Sequence, residues 1–174
     1  MPQVLLAVVA ILAFSLFALN QHQAQKHIEQ LAIVSEIELA ATDTARDQLM
    51  MLARFAFDEA DVGSSDLRTD VTGLSPIGPD AGETDESLYD DIDDFHNFVD
   101  TLSVDWHGQP MEMVVTAEIR YVNANDPDQT SSVPTMAKEL AVTVGESDSD
   151  PEGRPRVMVR LLQVLTPAWS TIHG

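Results

Sequence analysis

The stretch from Val4 to Leu19, VLLAVVAILAFSLFAL, is apolar at every position except Ser15, and no charged side chain occurs before Lys26. After Lys26 the chain becomes amphipathic and acidic, yet neither glycine nor proline interrupts it before Gly63. An uninterrupted run of this kind predicts one helix from Met1 to about Asp58, far longer than the average helix of about 11–12 residues.

The apolar half of this helix has several interpretations. A membrane span needs about 20 apolar residues, and this stretch is slightly shorter. A signal peptide opens with Lys or Arg and ends at a small-residue cleavage site, whereas this chain opens Met-Pro-Gln and continues into polar helix. A membrane anchor normally has basic residues on its flank, and Lys26 is the one basic residue nearby. A chain that starts directly with its apolar segment is expected to have lost a basic leader.

The second half of the helix has an apolar face and a charged face. Apolar side chains recur at steps of three and four, which predicts a face covered by the rest of the chain: Ile33, Ile37, Ala41, Ala45, Leu49, Leu52 and Ala56, with Met50, Met51, Phe55 and Phe57 widening the face near its end. Charged side chains fall largely elsewhere on the helix: Glu29, Glu36, Asp43, Asp47, Arg54 and Asp58. Gly63-Ser64-Ser65 is the predicted helix end.

Two further segments precede the strands. Glycine and proline punctuate residues 63–86, which predicts a long surface loop. The segment Ser87–Leu102, SLYDDIDDFHNFVDTL, has apolar residues at helical spacing, and Ser87 with Asp90 predicts a capping box at its start. A second, shorter helix is therefore expected over this segment.

From Thr101 onwards the hydrophobic period changes to two, which is typical of strands. Four strands are predicted, at Thr101–Trp106, Met111–Val122, Met136–Val144 and Pro155–Leu165. Their connections are a turn at residues 107–110, an exposed loop at residues 123–134 and an acidic turn at residues 145–153. The predicted fold class is α+β, in which the amphipathic half of a long helix packs on a four-stranded antiparallel sheet and the apolar half protrudes.

Aspartates are concentrated in the run Asp90-Asp91-Ile92-Asp93-Asp94. Carboxylate oxygens are ligands that Ca²⁺ prefers, so Asp90, Asp91, Asp93 and Asp94 are candidate ligands for that ion. The favoured interpretation is a solvated acidic surface with no metal, on which His96 is also a surface residue. A second candidate Ca²⁺ turn contains Asp148, Asp150 and Glu152, but Val159 stands where an EF-hand requires glutamate.

The overall charge restricts the classes of partner. Nine basic residues against 29 acidic ones give a formal net charge of −20, which repels nucleic acid, so no nucleic-acid partner is expected. Such an acidic surface suits concentrated salt, which screens self-repulsion, and a halophilic source is therefore a hypothesis. The chain has no cysteine, so its fold must hold without disulfides.

Nothing in the sequence favours catalysis. A thiol nucleophile is absent, and the glycine-rich, Walker A, G-x-S-x-G and H-E-x-x-H patterns do not occur. His22 and His27 lie five residues apart on the rod, and His107 and His173 have no adjacent partner set for zinc. The prediction is that the protein is not an enzyme and has no cofactor.

The uncharged start, the helix of more than fifty residues and the antiparallel sheet together resemble the type IV pilin superfamily. Mature subunits of that family begin with the apolar half of such a helix. Members usually carry a glutamate at the position that Leu5 occupies here. That departure puts the family's usual N-terminal pairing between subunits in doubt and is compatible with a divergent subunit.

The resemblance implies a division into an assembly or membrane segment (1–25), an amphipathic helix (26–62) and a globular head (63–174). It implies a structural subunit of an extracellular pilus-like filament, a helical homopolymer that resides in the membrane before assembly. Its other partners would be a leader peptidase and inner-membrane assembly machinery. The expected assembly core is Leu5, Leu6, Val8, Val9, Ala10, Ile11, Leu12, Ala13, Phe14 and Phe17.

In that filament the amine of Met1 lacks the usual glutamate partner. We expect it to be methylated, solvated, or bonded to backbone or polar groups of a neighbour such as Gln3. Two alternatives remain open: a bitopic membrane-anchored adaptor domain outside the cytoplasm, and a pseudopilin of a type II secretion-like machine.

Overall fold

The structure, a computed structural model, describes residues 2–64, 66–147 and 156–167. It contains one long helix, α1 (Pro2–Leu52), and five strands: β1 (Phe98–Trp106), β2 (Gln109–Asn123), β3 (Asp126–Thr130), β4 (Lys138–Glu146) and β5 (Met158–Leu165). Short 3-10 helices occur at Glu59–Asp61, Glu86–Leu88 and Asp93–Phe95. The predicted α+β class and the antiparallel meander are confirmed.

The sheet has the order β1-β2-β4-β5, with every pair antiparallel, and β3 pairs separately with β2. The β1–β2 hairpin turns at His107-Gly108, where both residues have positive φ (53° and 77°). Two successive positive φ angles suit a two-residue hairpin turn, because their twist matches that of the strands. Gln109 and Pro110 belong to β2, so the turn is shorter than the four residues predicted.

The core lies between the second half of α1 and one face of the sheet, where the helix contacts β4 and β5. Five of the seven predicted stripe residues are buried: Ile37, Ala41, Ala45, Leu49 and Leu52. They meet alternate side chains of the two central strands, because successive strand residues point to opposite faces of a sheet: Met113, Val115, Ala117, Ile119, Leu140, Val142 and Val144.

The helix ends earlier than predicted, at Leu52 and not near Asp58 or Gly63. After a turn at Ala53-Arg54 the chain enters the protein, so that Phe57 and Asp58 are almost completely buried. The prediction that Asp58 lies on the charged face was therefore wrong. Met50 and Met51 are also exposed and do not widen the apolar face.

The predicted helix over Ser87–Leu102 is not formed. Two 3-10 turns and the first part of β1 occupy the segment, and Leu88 and Val99 are exposed instead of sharing a buried face with Ile92. Aspartate side chains bond to nearby backbone N–H groups here and so compete with helical hydrogen bonding. The predicted capping box is absent, since the Asp90 N–H donates to Asp94 Oδ2 and not to the Ser87 hydroxyl. Asp85 caps the 3-10 turn instead, by accepting from the Ser87 N–H.

Candidate functional site

The apolar half of α1 projects from the head without touching it. Every described side chain from Gln3 to Ala32 is exposed, and the first half-buried residue is Ile33. The exposed fractions of Leu6, Phe14 and Phe17 are 72%, 73% and 61%. A helix that is apolar all round is normally buried in a core or a membrane, so this half requires a covering that the described part of the chain does not supply.

The helix is long and apolar enough to cross a membrane, by length and composition. The most apolar 18-residue window has no part buried inside the protein. Ser15 is the one hydroxyl in the apolar stretch, and its Oγ donates to the Ile11 carbonyl at 2.8 Å. No side-chain polar group in the stretch therefore opposes its transfer into an apolar environment.

Nine of the ten predicted assembly-core residues have described side chains, and all nine are exposed: Leu6, Val8, Val9, Ala10, Ile11, Leu12, Ala13, Phe14 and Phe17. The Leu5 side chain and Met1, with its amine, lie outside what the structure describes. Asp148, Asp150 and Glu152 of the candidate Ca²⁺ turn also lie outside it, as does His173.

The acidic run before β1 is largely internal. Asp91, Asp93 and Asp94 have exposed fractions of 2%, 1% and 3%, whereas Asp90 is exposed. The interpretation of this run as a solvated surface was therefore wrong for three of its four aspartates. Burying a carboxylate is costly unless hydrogen bonds or an opposite charge compensate it, so each of the three must have partners.

Backbone N–H groups serve two of these carboxylates. Asp91 Oδ1 accepts from the N–H groups of Asp93 (2.6 Å) and Asp94 (3.3 Å). Asp94 Oδ2 accepts from those of Asp90 (3.0 Å) and Asp91 (3.2 Å). These oxygens fold the acidic run into a tight turn.

The third carboxylate pairs with Lys138, the first residue of β4, which is fully buried. Lys138 Nζ donates to Asp93 Oδ2 at 2.6 Å and to the Phe57 carbonyl at 2.5 Å. It also lies 4.5 Å from the centre of the Phe57 ring and 5.1 Å from that of Tyr121, where the ring faces favour a cation. The other oxygen, Asp93 Oδ1, is buried and has no hydrogen-bond partner among the described residues.

Asp58 is the second carboxylate near Lys138, with Oδ2 3.6 Å from Nζ. The same oxygen accepts from Ser75 N (2.8 Å) and Ser75 Oγ (3.0 Å). Ser75 in turn accepts at its carbonyl from the Tyr121 hydroxyl at 3.0 Å. We call Asp58, Ser75, Asp93, Tyr121 and Lys138 the buried charge cluster. It joins the chain after α1, the long loop, the acidic run and the sheet.

Burial shifts the ionisation of the carboxylates in this region. It raises the pKa of Asp91 to about 8, and the neighbouring Asp93 and Asp94 carboxylates add to the rise. Burial also raises the pKa of Asp93, to about 6, against the opposing effect of the Lys138 ammonium. Burial likewise raises the pKa of the Tyr121 hydroxyl, and the nearby Asp93 and Asp58 carboxylates add to the rise.

A second acidic group lies nearer the surface. Glu59, Glu83 and Asp90 can each offer one carboxylate oxygen, and these oxygens lie within 4.8 Å of one another. The Asp90 carboxylate raises the pKa of Glu59. Oxygen ligands of this kind suit Ca²⁺. Exposed carboxylates also crowd together without a metal, so the arrangement alone identifies no site, and Ca²⁺ binding stays a prediction.

Two histidines have definite partners. His96 is half-buried, not a simple surface residue, because its Nδ1 accepts from the Ile119 N–H at 3.2 Å. His107 Nε2 lies 2.9 Å from Glu36 Oε2, which links the β1–β2 turn to α1. Both contacts are structural, and neither brings a nucleophile beside a base.

Sequence reasoning missed Asp58 and Lys138. Lys138 was detectable, because it has the same alternating position as Leu140, Val142 and Val144 and is one of only two lysines. A lysine on the inner face of a strand needs a buried partner. Asp58 gave no such signal, since its burial depends on where α1 ends.

Comparison with protein-family models, with curated proteins and with solved structures gave no match.

Proposed function

We propose that this protein is a structural subunit of an extracellular filament of the type IV pilus kind, assembled through the apolar half of α1. The observation that carries the proposal is the complete exposure of an uncharged helical segment on a head that is otherwise well packed. The resemblance in architecture supports it, and the family assignment is part of the proposal.

The hydrophobic effect supplies the driving force. Burial of apolar surface contributes about 25 cal/mol per Å², and nearly the whole circumference of this segment is apolar. Contact on one side of the helix would leave apolar surface in water, because large apolar side chains point in every direction around the helix. Several neighbouring helices can cover such a segment completely.

The composition of the segment favours packing between helices. Small residues allow helix backbones to approach closely, and the stretch offers Ala7, Ala10, Ala13, Ser15 and Ala18. Its sixteen residues from Val4 to Leu19 extend about 24 Å at 1.5 Å per residue. That length is close to a hydrocarbon core of about 30 Å, so the stretch can reside in lipid before assembly and exchange lipid for helix neighbours on assembly.

The heads would form the outside of such a filament. In α1 the exposed apolar half and the buried half are parts of one continuous helix, so the head is attached directly to the assembly segment. The net charge of −20 is formally carried beyond residue 25, since the first 25 residues contain no charged side chain. An acidic sheath around an apolar core follows from this division.

Two other functions use the same segment differently. A bitopic adaptor would keep the apolar half in lipid and present the head outside the cytoplasm. A pseudopilin would assemble as a short rod within a secretion machine. Electron microscopy of the purified full-length chain separates them, because the proposal expects long filaments, the pseudopilin short rods and the adaptor neither.

The matched variants Ala10→Asp and Ala10→Ser test the role of the apolar segment. Both change an exposed small residue, but only aspartate brings a charge, which costs about 3 kcal/mol in an apolar environment. We expect Ala10→Asp to abolish filaments and Ala10→Ser to keep them, with circular dichroism unchanged for both heads. Normal filaments from Ala10→Asp would contradict the proposal, and Ala13→Asp repeats the test one helical turn away.

A further inference from the structure

We propose that Lys138 and Asp93 react with each other to form an intramolecular amide bond between Nζ and Cγ. The bond would link the first residue of β4 covalently to the acidic run before β1. The inference does not depend on the proposed filament function, because both residues belong to the head.

The two reacting groups are already in contact. Lys138 Nζ lies 2.6 Å from Asp93 Oδ2, although the residues are 45 positions apart in the chain. Effective concentrations for well-oriented intramolecular reactions reach about 10⁵–10⁸ M. Proximity can therefore drive a condensation that free amines and carboxylates in water do not undergo at a useful rate.

Water is excluded from the contact. The exposed fraction of the Lys138 side chain is 0% and that of Asp93 is 1%. The rings of Phe57 and Tyr121 lie beside Nζ, and the Phe57 carbonyl accepts from it. A dry site favours condensation over hydrolysis, because the leaving water does not return readily.

Burial also favours the uncharged partners that the reaction needs. A buried ion pair pays a desolvation penalty that its attraction does not always repay. Transfer of one proton from the Lys138 ammonium to the Asp93 carboxylate gives a neutral amine and a neutral acid, which are the nucleophile and the electrophile. The amide then removes both charges permanently, so the cost of burying them disappears.

Asp58 is placed to carry the second proton. Its Oδ2 lies 3.6 Å from Nζ, and Ser75 holds it there through two hydrogen bonds. As Nζ attacks Cγ, Asp58 can accept a proton from the nitrogen as a general base. The Ser75 hydroxyl, 3.0 Å from Asp58 Oδ2 and 3.4 Å from Asp93 Oδ2, can then pass a proton from Asp58 to Asp93 Oδ2, which is the departing oxygen. Asp93 Oδ2 already holds the first proton, received from Nζ across the 2.6 Å contact, so the second proton completes the departing water.

The step balances without a further reagent. The Nζ–Cγ bond forms, one Cγ–O bond breaks, and the ammonium and carboxylate together become an amide plus one water. No oxidation or reduction occurs, and the net charge is unchanged because one positive and one negative charge are lost. Asp93 Oδ1 remains as the amide carbonyl, and Asp93 Oδ2 leaves in the water.

Mass spectrometry of the full-length protein, purified in detergent and then denatured, tests the bond. We expect the chain to weigh one water less than its sequence requires. Protease digestion is expected to give one branched peptide that contains both Asp93 and Lys138. Full sequence mass, with the two peptides recovered separately, would overturn the proposal and leave an ion pair only. Loss of water within a single peptide would also overturn it.

Matched variants assign the chemistry. Lys138→Arg keeps the positive charge but has no nucleophilic amine, so we expect it to have the full mass. Asp91→Asn changes a buried acid of the same run that does not contact Nζ, so it is expected to keep the water loss. Retention of the loss in Lys138→Arg would contradict the proposal. The branched peptide in the wild-type protein decides the question even if Lys138→Arg fails to fold.

Discussion

Asp91 illustrates how a single side chain can make this fold sensitive to pH. Its carboxyl is buried beside two other aspartates, and its pKa is raised from an ordinary 3.8 to about 8. Between these two values the folded chain holds a proton that the unfolded chain releases. The free energy of unfolding therefore falls as pH rises from about 4 through 8, as linkage requires.

Replacement of Asp91 by asparagine should remove this dependence. The amide oxygen can still accept from the Asp93 and Asp94 N–H groups, but it has no proton to lose. We expect Asp91→Asn to raise the melting temperature at pH 8 and to change it little at pH 4. Thermal unfolding at both pH values measures the effect. Asp128→Asn, at an exposed position on β3, is the control and should follow the wild-type curve.

An Asp91→Asn variant whose melting temperature falls with pH as steeply as the wild type would contradict this account. The remaining dependence would then have to come from other groups. Asp93 is the first of these, because its pKa is also raised, to about 6.

At the scale of elements, periodicity decided what could be predicted. The stripe on α1 and the alternation in β2 and β4 were readable because long runs repeat one pattern. β3 was missed, because all five of its residues are exposed and mostly polar, so no apolar alternation marks it. The strand forms because it pairs with β2, and this pairing leaves no local pattern in the sequence.

The segment Ser87–Leu102 failed for a different reason. Ile92 and Phe95 do lie in the core at helical spacing, so the pattern was real but ambiguous. Local bonds from Asp85, Asp91 and Asp94 to the backbone favour tight turns over a helix. The pairing of Phe98–Trp106 with β2 then takes the second half of the segment into the sheet. Such competition between local and long-range bonding is not visible in spacing alone.

The division of α1 into two halves predicts how truncations behave. Among the described side chains, deletion of residues 1–25 removes exposed ones only, since the first half-buried residue is Ile33. We expect this fragment to be soluble, monomeric and folded, by size-exclusion chromatography and circular dichroism. Deletion of residues 1–40 also removes Ile33 and the buried Ile37, so it should lower the melting temperature clearly. A 1–25 deletion that unfolds, or still forms filaments, would contradict the division.

At the scale of the whole molecule, charge dominates. The 29 acidic residues outnumber the nine basic ones, and at least one basic residue, Lys138, is completely buried. Five acidic residues are buried as well (Asp58, Asp91, Asp93, Asp94 and Glu139), so the described surface is somewhat less negative than the formal charge, although acidic side chains still predominate on it. Self-repulsion of this size destabilises the compact state at low ionic strength, although the same charge keeps heads soluble.

The melting temperature of the head should consequently rise with salt. The Debye length falls from about 10 Å at 0.1 M to about 3 Å at 1 M, so repulsion between surface carboxylates is largely removed over that range. Thermal unfolding in sodium chloride from 0.1 M to several molar measures the effect.

Millimolar Ca²⁺ serves as the comparison at matched ionic strength. Screening alone predicts equal melting temperatures in the two salts. A melting temperature that rises more in Ca²⁺ than in sodium chloride, and that loses this extra rise in Glu83→Gln, would indicate an ion bound among Glu59, Glu83 and Asp90. A melting temperature that stays flat from low to molar salt would reject the repulsion argument, and with it the case for a halophilic source.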